Sequence, residues 1–287
     1  MRTYIGSVPS PALPNVIAQW FSARGWRPRD HQLAMLDVAA AGRHALLTAS
    51  TGAGKTLAGF LPTLTELIEA PTDGLHTLYI SPLKALATEV ERNLSSPIAE
   101  MGRDIRVESR TGDTSSDKKA RQRARPPQIL LTTPESLSLL LSYEESFAMF
   151  ATLRHVIVDE VHAFANGKRG DLLSLSLARL QAIAPDMRRT ALSATVADID
   201  AYRAWLAPWG DIDAVEHVLG EEGADPDLNI MLPEGRMPWA GHAATYAVPQ
   251  VMEEIRANRT TLIFTNTRFL AEYIFQHLWQ INEENLP

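Results

Sequence analysis

The chain has 287 residues, 45% of them hydrophobic and 21% charged, a composition of folded domains that excludes wholesale disorder and leaves room for about two domains. It has no cysteine, which excludes disulfides, thiolate zinc sites and cysteine nucleophiles and fits a reducing cytosol; no stretch approaches the roughly 18 apolar residues of a membrane span, and the opening MRTYIGSVPSPALP lacks the apolar core of a secretory signal, so neither membrane nor export is expected. The net charge of −7 argues mildly against a nucleic-acid coat protein, yet it is uneven: residues 101–126 carry eight basic against four acidic residues, and residues 211–260 carry ten acids against three arginines.

Val16, Ile17, Trp20 and Phe21 recur at helical spacing, and residues 29–40 read as a second short helix closed by Gly42. An apolar run, His44–Thr48, then leads through a Gly-rich turn into a helical segment, Lys55–Glu69. HTLYIS (76–81) is an apolar strand followed by a helix to about Met101. DIRVES (104–109) reads as a strand. PQILLTT (127–133) is a buried strand with a helix starting at Pro134. HVIVDE (155–160) is a strand ending in acids, and 171–183 is helical. RRTALSA (188–194) is a strand, with a helix near Asp198–Leu206.

Strands alternating with helices imply βαβ units. Continuous apolar strands imply a mostly parallel sheet with helices on both faces, an α/β fold. Residues 208–245 are acidic and hold prolines, glycines and only short strand candidates (Ala214–Leu219, Leu228–Leu232). The expected domains are therefore 1–210, a linker over 211–245, and an incomplete second unit over 246–287 with a helix, the strand TTLIFTN (260–266) and another helix.

The strongest chemical signal is A-S-T-G-A-G-K-T (49–56) between a strand and a helix. Gly52 and Gly54 let the backbone wrap so that amides of Thr51, Gly52, Ala53 and Gly54 point at phosphate oxygens. Lys55 can reach β- and γ-phosphates, and the Thr56 hydroxyl suits Mg²⁺. The usual form begins with Gly; here Ala49 holds that position. Asp159-Glu160 supply a strand-end carboxylate for Mg²⁺, largely through water, and a second to activate an attacking water. An apolar run ending in DE is by itself also what any charged strand terminus looks like. His162 alone reads equally as a packing histidine. RVESRTGDTSSDKKARQRAR (106–125) reads either as a solvated loop and helix or as a local phosphate-facing segment.

Taken together, the phosphate loop, Asp159-Glu160-Val161-His162 and Ser193-Ala194-Thr195 resemble motifs I, II and III of superfamily 2 DExH-box helicases. The resemblance implies a RecA-like P-loop NTPase domain that binds ATP and Mg²⁺, with Lys55, Asp159, Glu160 and His162 catalytic. Motif III would couple nucleotide state to nucleic acid. Ala in the first loop position is this superfamily's own form, which accounts for Ala49. Gln32 stands where relatives read adenine. SPLKALA (81–87), RTGDT (110–114) and TTPESL (132–137) resemble strand-binding motifs. They imply nucleic-acid contacts at Pro82, Lys84, Arg110, Thr111, Gly112, Thr133, Pro134 and Glu135, and they favour the phosphate-facing reading of the basic segment.

DEVHAFAN, GKRGDLLSLSLARL, SPLKALA and IFTNTR resemble the large helicase-related (Lhr-like) group. WFSARGWRPRDHQ resembles its bacterial branch of ligase-associated DNA-damage-response helicases. That implies single-stranded or partly duplex DNA as partner, 3′-to-5′ movement, a cytoplasmic, nucleoid-associated setting and repair partners such as a ligase or nuclease. TLIFTNTRFLAEYIF (261–275) resembles motif IV, but nothing matches motifs V or VI, so the expectation is a truncated motor that cannot unwind alone. A non-hydrolysing nucleotide- or strand-binding fragment, an RNA helicase and an unrelated P-loop kinase are the alternatives. The order of motifs Ia, Ib and III disfavours the last. Oligomeric state is not legible.

Overall fold

The structure, a computed structural model, describes residues 13–164, 167–221, 227–231 and 245–282. The chain divides into two units, Met1–Ala224 and Asp225–Pro287. In chain order the first holds α1 (Asn15–Ala23), α2 (Asp30–Ala40), β1 (His44–Thr48), α3 (Lys55–Glu69), β2 (Thr77–Ile80), α4 (Lys84–Glu100), β3 (Val107–Arg110), α5 (Ser116–Ala124), β4 (Ile129–Thr132), α6 (Pro134–Leu141), α7 (Ser146–Phe150), β5 (His155–Val158), α8 (Lys168–Ile183), β6 (Arg188–Ser193), α9 (Ile199–Leu206) and β7 (Val215–Leu219). The second holds α10 (Val248–Ala257) and α11 (Arg268–Ile281), which pack on each other.

The seven strands form one all-parallel sheet in the order β3-β4-β2-β5-β6-β1-β7. Successive strand residues point to opposite faces, so an apolar run feeds two cores. Ala45, Leu47, Tyr79, Leu131, Ile157 and Leu192 join the core beneath α1 to α4. Leu46, Leu78, Ile80, Leu130, Val156 and Val158 join the core beneath α6 to α9. Gly59 lets α3 lie close on the sheet, since a Cβ there would meet Leu192 at 3.1 Å. On the outer side, α1 is tied to α4: Trp20 Nε1 donates to Glu100 at 2.8 Å, and Arg24 pairs with the same carboxylate at 2.6 Å.

Several sequence expectations change here. The segment 211–245 does not open as a linker, because Val215–Leu219 completes the sheet beside β1, with Thr48 opposite Leu219. The apolar Val215 and Val218 give it a buried face. Leu228–Met231 of the second strand candidate has no regular structure, and its last residue lies outside the described residues. The first 12 residues, 165–166 and most of 222–244 also lie outside them. DIRVES forms a shorter, later strand, β3. TTLIFTN is not a strand: residues 260–266 make no ladder, and Leu262 and Phe264 are 76% and 89% exposed. A strand needs a neighbour, and none is present in this unit among the described residues.

Candidate functional site

In a parallel sheet, ligand sites gather outside the carboxyl ends of the strands. Motifs I, II and III and the three strand-binding candidates all leave from that edge. The strand order separates them: β5, β6 and β1 carry the acid pair, motif III and the phosphate loop, while β3, β4 and β2 carry the three strand-binding candidates.

The phosphate loop joins β1 to α3. Gly52 and Gly54 take left-handed φ of +80° and +77°, and Gly54 begins α3. Lys55 is buried, and its Nζ donates to the carbonyls of Ala49 and Ser50 at 2.9 and 3.0 Å. No carboxylate is among those partners, so the ammonium charge is free to meet an anion. Behind the loop lies α2. The Gln32 Nε2 donates to the Gly54 carbonyl at 3.4 Å, while its Oε1 accepts the Arg29 amide at 3.0 Å. A Cβ on Gly54 would sit 2.8 Å from Gln32 Nε2, so the glycine serves this approach as well as its φ. His31, which sequence reasoning missed, donates from Nε2 to the Ala53 carbonyl at 3.0 Å. Burial lowers its pKa and keeps it neutral.

Ala49 has a tertiary reason. Its amide donates to the Ser193 carbonyl at 3.2 Å. Gly220, after β7, approaches so closely that a Cβ on it would lie 2.3 Å from that of Ala49. Bulk omitted at Gly220 makes room for bulk at Ala49.

Asp159 follows β5 and is buried. The Tyr79 hydroxyl donates to its Oδ2, and the Glu160 amide donates to its Oδ1 at 2.9 Å. Burial raises its pKa, as does neighbouring Glu160; Tyr79 and Lys55 oppose them. Glu160 has φ +48°, an unfavourable backbone for a non-glycine residue and common at functional sites. Its Oε2 is buried without a hydrogen-bond partner, with His162 Nδ1 3.4 Å away. That nitrogen is committed to Ser193 Oγ at 2.9 Å, and Ser193 Oγ donates to the Thr195 carbonyl at 2.7 Å. Ala194 is half-buried and Thr195 exposed. Motifs I, II and III therefore share bonds.

Thr56, Tyr79, Asp159 and Glu160 line one cleft of about 510 Å³ that continues past α4 to Trp20 and Arg24. Among the described residues, no group of three or more His, Cys, Asp or Glu could hold a metal. A divalent cation at Thr56 and Asp159 would need its other oxygens from phosphate and water, the donor set that Mg²⁺ prefers.

The strand-binding candidates divide. Thr133, Pro134 and Glu135 start α6, with Thr133 Oγ1 on Ser136 Oγ at 3.3 Å. Lys84, expected to meet phosphate, pairs with Asp113 at 2.9 Å beside Gly112. Thr111 is buried, and its amide donates to Thr114 Oγ1 at 2.9 Å. Arg110 corrects the sequence reading. It is 2% exposed and donates to the Lys119 carbonyl at 2.9 Å, so it anchors α5 instead of facing solvent. In the basic segment, Arg121 pairs with Glu108 at 2.8 Å and Arg123 lies over Tyr143.

Sequence reasoning also missed Arg169 and Tyr79. Arg169 donates to the Pro82 carbonyl at 2.8 Å and to Glu135 at 2.6 Å. A hydroxyl inside the apolar run TLYI was the available signal for Tyr79.

Comparisons with known proteins agree on this architecture. The profile of the family described as DEAD/DEAH box helicase matches residues 29–202. The ATP-dependent helicase Lhr-Core of Methanothermobacter thermautotrophicus is 38% identical over 258 residues, covering 83% of this chain and 30% of the relative. The Lhr helicase/uracil glycosylase of Escherichia coli is 35% identical, covering 94% of this chain and 20% of the relative. The chain thus spans a third or less of the length of these relatives. The solved structure of Mycobacterium smegmatis helicase Lhr bound to ssDNA and AMP-PNP superposes with a TM-score of 0.81 at 33% identity, covering 95% of this chain and 36% of that one. Among the described residues, no helix is long and apolar enough to cross a membrane.

Proposed function

This chain belongs to the DEAD/DEAH box helicase family, and on that premise we propose that it is the ATP-binding first motor domain of a DNA helicase, followed by the start of a second motor domain. The observation that carries this reading is the division of one sheet edge into a phosphate half and a strand-track half.

In the phosphate half, the amides of Thr51 to Gly54 and the Lys55 ammonium hold the nucleotide's phosphates. Gln32, already packed on Gly54, faces the base. Thr56 and Asp159 hold Mg²⁺, which when bound offsets phosphate charge. Glu160 orients the attacking water with its otherwise partnerless Oε2 and accepts its proton. His162 and Ser193 pass the state of this half to motif III.

In the other half, the turn at Pro82 and the amides and hydroxyls of Thr111–Gly112 and Thr133–Glu135 hold the sugar-phosphate backbone without reading bases. Lys84 contributes once released from Asp113. DNA is preferred to RNA because the Mycobacterium relative was solved with ssDNA. The repair setting, with a ligase or nuclease partner at the nucleoid, rests on WFSARGWRPRDHQ alone.

The test is phosphate release by the 287-residue chain with and without oligo(dT) or oligo(rU). Weak hydrolysis stimulated by oligo(dT) supports the reading. Nucleotide binding without any turnover supports the inert-fragment alternative, and preference for oligo(rU) overturns DNA.

A further inference from the structure

We infer that Arg169 is a positioning residue that fixes the phosphate half of the sheet edge to the strand-track half and so sets the shape of the track. This rests on the reading of that track as a nucleic-acid surface. Arg169 is the second residue of α8, the helix that follows β5 and the acid pair. Its guanidinium meets three elements at once. One Nη donates to the Pro82 carbonyl, at the end of β2, at 2.8 Å. Nε and the same Nη donate to the two Glu135 oxygens, at the start of α6, at 2.6 and 3.3 Å. The cation also lies 5.7 Å from the ring of Phe164, in the turn that follows Asp159-Glu160-Val161-His162.

The next residue explains how this reach is held. A Cβ on Gly170 would lie 1.9 Å from the Phe164 carbonyl oxygen, so α8 starts pressed against that turn. The Arg169 backbone moves with the acid pair's turn while its side chain holds Pro82 and Glu135. Burial alone would raise the Glu135 pKa; the bonds from Arg169 outweigh it and keep the carboxylate charged. Only a planar fork satisfies a carbonyl and a carboxylate together; a lysine ammonium has neither the plane nor the reach.

The side chain is 44% exposed, so a direct contact with phosphate is the competing explanation. Salt dependence separates the two. Lys84 is held by Asp113 at 2.9 Å and not by Arg169, and the groups that Arg169 does hold, the Pro82 turn and the start of α6, would bind phosphate through uncharged groups, which release no counterions. A misplaced track therefore weakens binding at every salt concentration alike, whereas a lost cationic contact flattens the dependence.

The experiment is equilibrium binding of a fluorescent oligo(dT) to the 287-residue chain across a salt series, for the wild type, Arg169→Ala and Arg169→Lys. The expected result is affinity about tenfold lower for Arg169→Ala with an unchanged salt slope, and only partial recovery in Arg169→Lys. Should Arg169→Ala fail to fold, the lysine variant carries the test. A slope reduced by about 0.7 would make Arg169 a direct contact and overturn the inference. Wild-type affinity in either variant would also overturn it. If the wild-type chain does not bind oligo(dT), the track reading fails and this inference with it.

Discussion

The imidazole Nδ1 of His162 lies 2.9 Å from the hydroxyl of Ser193, joining the acid-pair turn to the end of β6. Ser193 spends its only proton on the Thr195 carbonyl, so His162 must carry the proton on Nδ1. Removing the hydroxyl leaves that N–H without its acceptor. Ser193→Ala should cost about 1 kcal/mol of stability and reduce DNA stimulation of phosphate release about tenfold, with nucleotide affinity changed little. Unaltered stimulation would show that this bond carries no coupling.

Lys55 is held over its own loop by the carbonyls of Ala49 and Ser50. Lys55→Ala should leave the fold intact and weaken nucleotide binding by about 10- to 100-fold, the loss of one or two charge-assisted bonds. Binding of a fluorescent ATP analogue measures this; unchanged affinity refutes the cradle.

Glu160 sits at φ +48° with a buried, partnerless Oε2. Glu160→Gln keeps the shape but removes the base. Turnover should fall about 10²–10⁴-fold while nucleotide is still bound. Single-turnover hydrolysis at the wild-type rate would take Glu160 out of its role.

Gly220 and Ala49 share one volume, with 2.3 Å between the Ala49 Cβ and a Cβ placed on Gly220. Gly220→Ala should destabilise the first unit by about 1–3 kcal/mol. Adding Ala49→Gly should restore most of this, measured by urea unfolding. Two independent losses would mean that the contact relaxes by another route.

Buried histidines make stability depend on pH, His44 and His155 among them. His44 is pushed down to about 4, chiefly by burial and then by Arg189 and Arg188. His155 is fully buried between Thr63 and Thr190, and burial holds it well below its usual range. Both take up protons on unfolding below about pH 6.5, so the unfolded state binds more protons there. The stability that His44 confers is complete above about pH 6.5 and is lost as pH falls toward about 4, and that of His155 is lost in the same direction as pH falls. The urea midpoint should drop steadily across that window, and less steeply in His155→Gln. A flat profile would refute the assignment.

The fold was legible where local chemistry decides it. Apolar runs between helical segments located β1, β2, β4, β5 and β6, and the Gly52 and Gly54 pair located the loop, because left-handed φ needs glycine. Sequence reasoning failed where an element depends on a neighbour. TTLIFTN has strand composition but no strand beside it among the described residues, whereas the strand candidate Ala214–Leu219 finds β1 and forms Val215–Leu219.

The sequence by itself determined the motif chemistry and the alternation that forces a parallel sheet. Only the tertiary structure decided which charges face outward and which bonds join the motifs. Arg110 looks like a phosphate ligand in RTGDT and is buried under α5, while Arg169, far from it in sequence, reaches the Pro82 carbonyl and Glu135. The physical reason is the strand order β3-β4-β2-β5-β6-β1-β7. That order sets which loop ends become neighbours, and neighbours decide whether a side chain finds a protein partner or remains free for a ligand.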